Sequence, residues 1–304
     1  MEMALQVRRL LYVAVLVACG VAWGSTQSLG KIAVSTGHDP LGLIFWQFAI
    51  GGVLMGAITW LRGRRLVATR RALVFGVVVA LTGTLMPSTT FYLAVERLPA
   101  GIMSLLISTV PILAFPIALA LGQDRVTAGR VVGLLCGALG VALIVGPEAA
   151  LPEPGMAAWI PLALLGPLLY AVETNFVARF GMAGMDPFQA LALASLIGAG
   201  LSLPLALGSG QWIDPTEGWG AAERAFVLSA VVNVSTYAAY VWLAANAGAV
   251  FASQMSYVVT GSGLLWAAML LGERPSPWVG LALLVMLAGL FLVAPREQAR
   301  RVEG

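Results

Sequence analysis

Long apolar segments alternate with short polar connections along almost the whole chain. A membrane-spanning helix needs about 17–25 predominantly apolar residues. Ten segments meet this requirement, at about 10–31, 41–61, 72–94, 101–122, 127–146, 157–178, 187–208, 225–246, 249–271 and 277–294. The connections contain pairs that break helices, such as Asp39-Pro40 and Asp186-Pro187. The pattern therefore predicts an all-α membrane protein with ten transmembrane helices.

The two halves of this pattern repeat each other. Shifts of 147 to 149 residues match polar and glycine positions: Asp39 with Asp186, Asp124 with Glu273, and Gly140 with Gly289. Each half, 1–147 and 148–304, contains five predicted spans, so the second half must cross the membrane in the opposite direction. We expect a single membrane domain of two inverted five-helix repeats around a central cavity. Chance similarity between segments rich in glycine and leucine is the competing interpretation.

The basic residues predict the orientation. If both termini are cytoplasmic, the inner loops and ends hold thirteen of the 17 Lys and Arg residues. The outer loops then hold Lys31, Arg97, Arg224 and Arg274. This excess on one side follows the positive-inside rule. We expect an integral protein of a bacterial cytoplasmic (inner) membrane with both termini inside.

Composition narrows the possible functions. The chain is 60% hydrophobic and 10% charged, against about 25% charged residues in an ordinary soluble domain. The net charge of +3 comes from loop arginines and not from a basic stripe with interleaved aromatics, so we predict no nucleic-acid partner. Cys19, Cys136 and the single His38 provide no disulfide framework or zinc spacing. No P-loop, GxSxG or HExxH motif is present, so we expect neither an ATP-driven pump nor an enzyme.

Three stretches resemble the ten-span, EamA-type members of the drug/metabolite transporter superfamily. They are Trp23-Gly24-Ser25-Thr26 with Asp39-Pro40; Phe91-Tyr92 through Pro111 to Leu121-Gly122-Gln123-Asp124-Arg125; and Ala249, Ser253, Leu271-Gly272-Glu273-Arg274 and Gly289. The resemblance covers nearly the whole chain. It implies export of amino acids, other metabolites or drugs, and it says little about which substrate.

The chain departs from the pattern of that family at two places. Members of the family often carry an arginine in the second span, where this sequence has Phe45-Trp46-Gln47. The counterpart of Pro111 in the second half is Thr260. A charged substrate contact at the first place, or a helix break at the second, is therefore not expected from the resemblance alone.

Polar and aromatic side chains form stripes at helical spacing in four predicted spans. The stripes are Thr84, Ser88 and Phe91; Ser104, Ser108 and Pro111; Asn233, Tyr237 and Tyr240; and Ser253, Tyr257 and Thr260. Polar side chains in a membrane usually face the bundle interior or an aqueous cavity. Our candidate substrate-binding residues are Trp23, Gln27, Ser88, Phe91, Tyr92, Ser108, Tyr170, Glu173, Asn233, Tyr237, Tyr240 and Tyr257. Helix–helix packing is the alternative role of these side chains.

Glu173 is the one acidic residue well within a predicted span. Desolvation favours the neutral form of a carboxyl group, which suits a group that takes up and releases a proton during transport. Two alternatives remain: a hydrogen-bonded carboxyl that joins the sixth span to a neighbour, and a position near the cytoplasmic end in contact with water. We predict no cofactor beyond this proton coupling.

The sequence thus favours a secondary transporter of small neutral, zwitterionic or aromatic compounds, such as amino acids, that works by alternating access. The expected partners are a small-molecule substrate and the lipid bilayer, and the expected state is a monomer or a weak homo-oligomer. A receptor or scaffold without transport, and an intramembrane enzyme, are the alternative functions. A soluble domain would favour the first of these alternatives, and a catalytic residue set would favour the second.

Overall fold

The computed structural model describes residues 2–123, 125–146, 151–153, 155–216, 218–247, 252 and 254–293. The regular structure of this part of the chain is entirely helical. The helices are α1 (Glu2–Val34), α2 (Pro40–Leu61), α3 (Arg70–Ala80), α4 (Met86–Arg97), α5 (Ala100–Ile107), α6 (Val110–Ala120), α7 (Ala128–Val145), α8 (Ile160–Phe180), α9 (Pro187–Gly208), α10 (Ala221–Ala247), α11 (Met255–Leu271) and α12 (Pro277–Val293). A π-helical turn, Leu81–Leu85, joins α3 to α4, and a 3-10 turn, Met156–Trp159, precedes α8. Asp124, Ser253 and the predicted start of the ninth span at 249 lie outside the described residues.

Seven helical stretches in the described residues are long and apolar enough to cross a membrane. They are Leu10–Val34, Pro40–Leu61, Arg70–Arg97, Ala100–Ala120, Ala128–Val145, Met156–Phe180 and Pro187–Gly208. Met255–Leu271 and Pro277–Leu292 are shorter apolar helices. Large apolar side chains such as Val53, Met269 and Leu284 are about two-thirds or more exposed, and a continuous surface of this kind is stable in lipid and not in water.

The Asp-Pro pairs begin matching helices, as expected from the sequence. Pro40 and Pro187 occupy the first turns of α2 and α9, where a proline costs no hydrogen bond. The Asp186 carboxylate accepts hydrogen bonds from the backbone N–H groups of Phe188 (2.9 Å) and Gln189 (3.0 Å), and the Gln189 side chain accepts one from the Asp186 N–H, which completes a capping box. Asp39 makes no such side-chain bond.

Helices α2 and α9 pack against each other through matching positions. A Cβ placed on Gly51 would lie 3.2 Å from the Ser195 hydroxyl, and one placed on Gly198 would meet the Phe48 ring. The 147-residue shift matches Gly51 to Gly198 and Phe48 to Ser195. Each contact is therefore the counterpart of the other, as in a two-fold interface. The later residue of α2 contacts the earlier residue of α9, so the two helices are antiparallel.

Helices α7 and α12 repeat this arrangement with the 149-residue shift. A Cβ on Gly140 would meet Met286, and a Cβ on Gly289 would lie 3.3 Å from the Gly137 nitrogen. The shift again exchanges the two contacts, and the two helices are again antiparallel. The halves of the chain therefore join at two crossings of equivalent helices.

The bundle has two ends that differ in packing. We call the end where α1 finishes and α5 begins the Lys31 end, and the end where α8 finishes and α9 begins the Arg179 end. At the Lys31 end, large side chains with 0–1% exposure form one cluster, which we call the apolar seal: Val95, Leu98, Leu105, Ile144 and Ile160. The seal takes residues from α4, α5, α7 and α8 and from the connection that follows α4, so both halves contribute to it.

A polar contact joins three elements beside the apolar seal. The Glu273 carboxylate accepts hydrogen bonds from the backbone N–H groups of Ala100 (2.7 Å) and Gly101 (2.9 Å) at the start of α5. Lys31 Nζ donates to the Leu98 carbonyl at 2.6 Å and lies 3.8 Å from Glu273 Oε1. An anionic acceptor at a helix N-terminus satisfies N–H groups that have no partner within the helix. We call this contact the Lys31–Glu273 latch.

At two places the first half has a proline beside an irregular turn where the second half has a threonine within a helix. Pro87 and Pro111 have no N–H to donate and so cannot continue an α-helical ladder. The π turn Leu81–Leu85 precedes Pro87, and the helix is interrupted between α5 and α6 just before Pro111. The matching residues, Thr236 and Thr260, lie in the continuous helices α10 and α11, and their hydroxyls donate to the carbonyls four residues earlier at 2.7 and 2.9 Å.

Candidate functional site

A cavity of about 780 Å³ lies between the two halves. Its walls come from α1, α2, the α3–α4 stretch, α5 and α6 of the first half, and from α8 to α11 of the second. Arg130, in the first turn of α7, also contributes. Cavities that bind small molecules measure about 300–1,000 Å³, so this one has room for a metabolite.

Eleven of the twelve candidate residues line this cavity: Trp23, Gln27, Ser88, Phe91, Tyr92, Ser108, Tyr170, Glu173, Asn233, Tyr237 and Tyr240. Residues far apart in the sequence are joined directly here. The Trp23 indole N–H, on α1, donates a hydrogen bond of 2.8 Å to Asn233 Oδ1, on α10. Within one helix, the neighbouring rings of Phe91 and Tyr92 also contact each other edge to face, with 5.3 Å between their centroids.

Tyr257 was expected to line the cavity, and the structure places it outside the lining. Its hydroxyl is buried and has no partner among the described residues. The cavity face of α11 is formed by Met255, Ser256, Val259 and Thr260. The 149-residue shift matches Tyr257 to Ser108, which lies in the interruption between α5 and α6. The same shift matches Met255, Ser256, Val259 and Thr260 to Leu106, Ile107, Val110 and Pro111, which also line the cavity, so the two halves present the same face and differ at this one pair.

The four consecutive polar residues of α1, Ser25 to Ser28, lie in two different environments. Thr26 and Gln27 line the cavity. Ser25 donates to the Ala22 carbonyl at 2.6 Å, and the fully buried Ser28 hydroxyl has no partner among the described residues. Trp23 and Gln27, four residues apart, share the cavity face as expected.

Several polar residues of the lining were not among the candidates: Thr26, Gln47, Arg130, Asn175, Ser195 and Ser229. Ser229 could have been found, because it extends the Asn233 stripe by one turn at a spacing of four residues. Asn175 is held by its own packing, since its side-chain amide donates to the Ala114 carbonyl on α6 at 3.0 Å. The sequence alone does not distinguish Gln47 from a residue that joins two helices.

Many polar groups of the lining have no protein partner. Within the described part of the chain, no group hydrogen-bonds to the hydroxyls of Tyr92, Tyr170, Tyr237 and Tyr240 or to the amides of Gln27 and Gln47. Unpaired polar groups are rare in protein interiors, because each costs about 1–3 kcal/mol unless water or a ligand satisfies it. The cavity therefore presents donors and acceptors to its contents.

The Glu173 carboxylate faces the π turn. A Cβ on Gly83 would lie 2.6 Å from both Glu173 oxygens, so a larger residue there would displace the carboxylate from its present position. Glu173 makes no hydrogen bond or ion pair with any described residue. Tyr170 and Tyr237 line the same cavity. The alternative of a carboxyl hydrogen-bonded to a neighbouring helix therefore has no supporting contact here.

The cavity is closed at the Lys31 end and reaches the surface at the Arg179 end. Thr174 and Ala178, in the last two turns of α8, are exposed and line it. At the opposite end, Met103 and Ala163 line it and are buried, and the apolar seal lies beyond them. Glu173, one residue before Thr174, thus lies in the part of the cavity nearer the opening.

Comparison with known proteins identifies the family. The EamA-like transporter family matches twice, over residues 10–146 and 157–294. One solved structure, described only as a protein crystal structure, is 18% identical to the chain with a TM-score of 0.65 and covers 94% of this chain and 99% of that one; at that identity it shows the fold alone. No curated protein sequence matches the chain. The two successive matches span most of the sequence, and the protein therefore belongs to the EamA-like transporter family, whose members are membrane transporters built from two repeats.

Proposed function

We propose that the protein is a secondary transporter that moves small neutral, zwitterionic or aromatic metabolites, such as amino acids, across a bacterial cytoplasmic membrane. The observation that carries this proposal is the set of unpaired tyrosine hydroxyls and glutamine amides around a cavity shared by both halves. Such groups recognise polar parts of a ligand, while the aromatic rings bind its apolar part. A polyanion would require more Lys and Arg in the lining than Arg130 alone.

The mechanism we propose is alternating access between ten helices arranged as two inverted repeats. The antiparallel crossings of α2 with α9 and of α7 with α12 support inversion, because equivalent helices run in opposite directions. Helix α10 and the two short apolar helices bring the seven long spans to ten. With the termini in the cytoplasm, the Arg179 end faces inwards, so the described conformation is open to the cytoplasm and closed outwards.

Labelling of single cysteines tests this topology. Arg71 and Glu153 are both exposed, and the ten-span arrangement places them on opposite faces of the membrane. With Cys19 and Cys136 replaced by serine, we expect a membrane-impermeant maleimide to label Glu153→Cys in intact cells and Arg71→Cys only after lysis. Labelling of both positions before lysis would contradict the inverted arrangement.

Flux into proteoliposomes tests the function. We expect purified protein to carry radiolabelled L-phenylalanine or another amino acid from a screening set at least about tenfold faster than protein-free liposomes, and to leave glucose 6-phosphate outside. We also propose that Glu173 couples transport to protons, so an imposed pH gradient should accelerate flux in the wild type and have no effect in Glu173→Gln. The charged and titratable groups near this carboxylate in the lining are Tyr170, Tyr237 and, nearer the opening, Arg130.

The control for this experiment is Glu96→Gln, which removes an exposed carboxyl on the other side of the apolar seal. It should behave as the wild type in rate and in response to the gradient. Selective uptake of glucose 6-phosphate would refute the proposed substrate class. Unchanged gradient dependence in Glu173→Gln would refute proton coupling, and the absence of flux for every compound would favour a receptor or scaffold.

A further inference from the structure

Two charged side chains of opposite sign in the described part of the chain line the cavity, and they are not paired with each other. Within the described residues, Glu173 is the acidic member of the lining and Arg130 the basic one. Arg130 is in the first turn of α7, and its guanidinium lies 5.6 Å from the centroid of the Phe115 ring. No ion pair joins Glu173 to a basic group of the described chain. The carboxylate therefore faces the cavity without a countercharge from the protein.

The first half of the chain has no carboxylate at the position that matches Glu173. The 147-residue shift matches Glu173 to Thr26, which also lines the cavity and whose hydroxyl donates to the Trp23 carbonyl at 2.8 Å. The acidic side chain is thus on one side of the pseudo-two-fold arrangement, with an uncharged hydroxyl at the matching position and Arg130 nearer the opening. A ligand inside the cavity meets one carboxylate and, at the matching position, a polar uncharged group, and this favours a ligand with one localised positive group.

The backbone is shaped around the Glu173 carboxylate. Pro87 cannot donate to the Gly83 carbonyl four residues earlier, and the π turn Leu81–Leu85 accommodates this missing bond. The same turn presents Gly83, whose lack of a side chain leaves space at the carboxylate oxygens. A glycine and a helix irregularity within the same turn therefore lie beside the Glu173 carboxylate.

The aromatic neighbours of the carboxylate suit a cation. Tyr170 lies one turn before Glu173 on α8, Tyr237 lies on α10, and all three side chains line the same cavity. An ammonium group gains from a carboxylate through a charge-assisted hydrogen bond and from aromatic faces through the ring quadrupole.

We propose that Glu173, Tyr170 and Tyr237 form a subsite for the protonated amine of the transported molecule. This inference rests on the proposed function and makes it more specific: the substrate is an amine-bearing compound, an amino acid or an aromatic amine, and not a neutral or purely anionic metabolite. The amine lies at Glu173 near the opening, and the remainder of the molecule contacts the ring and hydroxyl groups towards Trp23 and Tyr92.

Binding of three related probes tests the subsite without requiring transport. 2-Phenylethylamine, 2-phenylethanol and 3-phenylpropanoate share an aromatic ring on a short chain and carry a positive, neutral and negative group. We expect calorimetry on protein in lipid nanodiscs, corrected with empty nanodiscs, to show the amine binding at least about tenfold more tightly than the alcohol. The propanoate should bind more weakly than the alcohol. Glu173→Gln should bring the amine to the affinity of the alcohol.

Two further variants separate loss of charge from loss of structure. Glu96→Gln removes an exposed carboxyl that is not part of the cavity lining and should keep the full preference for the amine, whereas Glu173→Asp keeps the charge and should keep part of it. Equal binding of amine and alcohol by the wild type would overturn the subsite, as would a preference for the propanoate or an undiminished amine preference in Glu173→Gln. The wild-type ranking is decisive even if a variant does not fold.

The outcome also separates this inference from the proposed function. Amino-acid flux together with equal binding of amine and alcohol would leave the transporter proposal standing and remove the subsite. Amine binding that depends on Glu173, with no flux for any compound, would retain the subsite and refute transport.

Discussion

Replacing Glu273 with alanine should open the Lys31 end of the bundle. The variant leaves the N–H groups of Ala100 and Gly101 without their acceptor and removes the ion-pair partner of Lys31. A hydrogen-bonding group left unpaired costs about 1–3 kcal/mol. The side chains of Lys31 and Glu273 are 29% and 17% exposed, so solvent screening reduces the electrostatic part and we expect about 2 kcal/mol. This is more than a tenfold shift in the population of the closed end, since 1.4 kcal/mol is a factor of ten.

A cysteine in the apolar seal measures this change. Val95 is fully buried there, and in a protein with Cys19 and Cys136 replaced by serine, Val95→Cys reports access from the Lys31 end. We expect a membrane-impermeant maleimide to react at least about tenfold faster in Glu273→Ala than in the parent protein. Glu273→Gln keeps one acceptor oxygen and should fall between them. An equal reaction rate in Glu273→Ala and the parent would show that the latch does not hold the seal closed.

Replacing Gly24 with alanine should disrupt the crossing of α1 and α11. A Cβ at this position would lie 2.8 Å from the Val259 carbonyl and 2.9 Å from the Gly263 nitrogen, and both are backbone atoms that cannot move aside without shifting α11. Overpacking of a close crossing costs about 1–3 kcal/mol. We expect the purified variant to lose its folded, monodisperse state several degrees below the wild type in a thermal-stability assay.

Gly56→Ala is the matched control for Gly24→Ala, because a Cβ on Gly56 meets nothing within 4 Å. Alanine in a helix is otherwise favoured over glycine by about 0.5–1 kcal/mol, so Gly56→Ala should be neutral or slightly stabilising. A second close crossing gives an independent check. A Cβ on Gly289 would lie 2.8 Å from the Gly133 carbonyl, and Gly289→Ala should behave like Gly24→Ala. Equal stability of all three variants would contradict the close packing.

The predicted helices follow from the sequence because their ends are marked by local chemistry. Asp39-Pro40 and Asp186-Pro187 begin α2 and α9, and each apolar segment must satisfy its own backbone in lipid by forming a helix. Gly122 and Gly272 both adopt positive φ, at +68° and +66°, just after α6 and α11. A positive φ favours glycine at a helix C-terminus, so the Leu-Gly pairs that the two halves share mark the same chain reversal.

The polar face of α10 has a similar local explanation. A helix that carries Asn233, Tyr237 and Tyr240 on one face turns that face away from lipid, and all three line the cavity. Tyr257 lies outside the lining although its match under the 149-residue shift, Ser108, is part of it, so a shared position in the repeat does not fix the surroundings of each side chain. The π turn and its contact with Glu173 involve residues far apart in the sequence, and no local pattern indicates which helix faces a given carboxylate.

The prolines of the first half have a consequence for energetics. In a perfectly duplicated chain, the state open to one side and the state open to the other would be mirror arrangements of the same halves and would have equal free energy. Here Pro87 and Pro111 interrupt one half, while Thr236 and Thr260 continue the helices of the other. In the alternating access that we propose, the two states are therefore unequal before any substrate binds. The proposal then assigns a resting preference for one face to these four residues and the contacts around them, and an ion gradient would add to this imbalance.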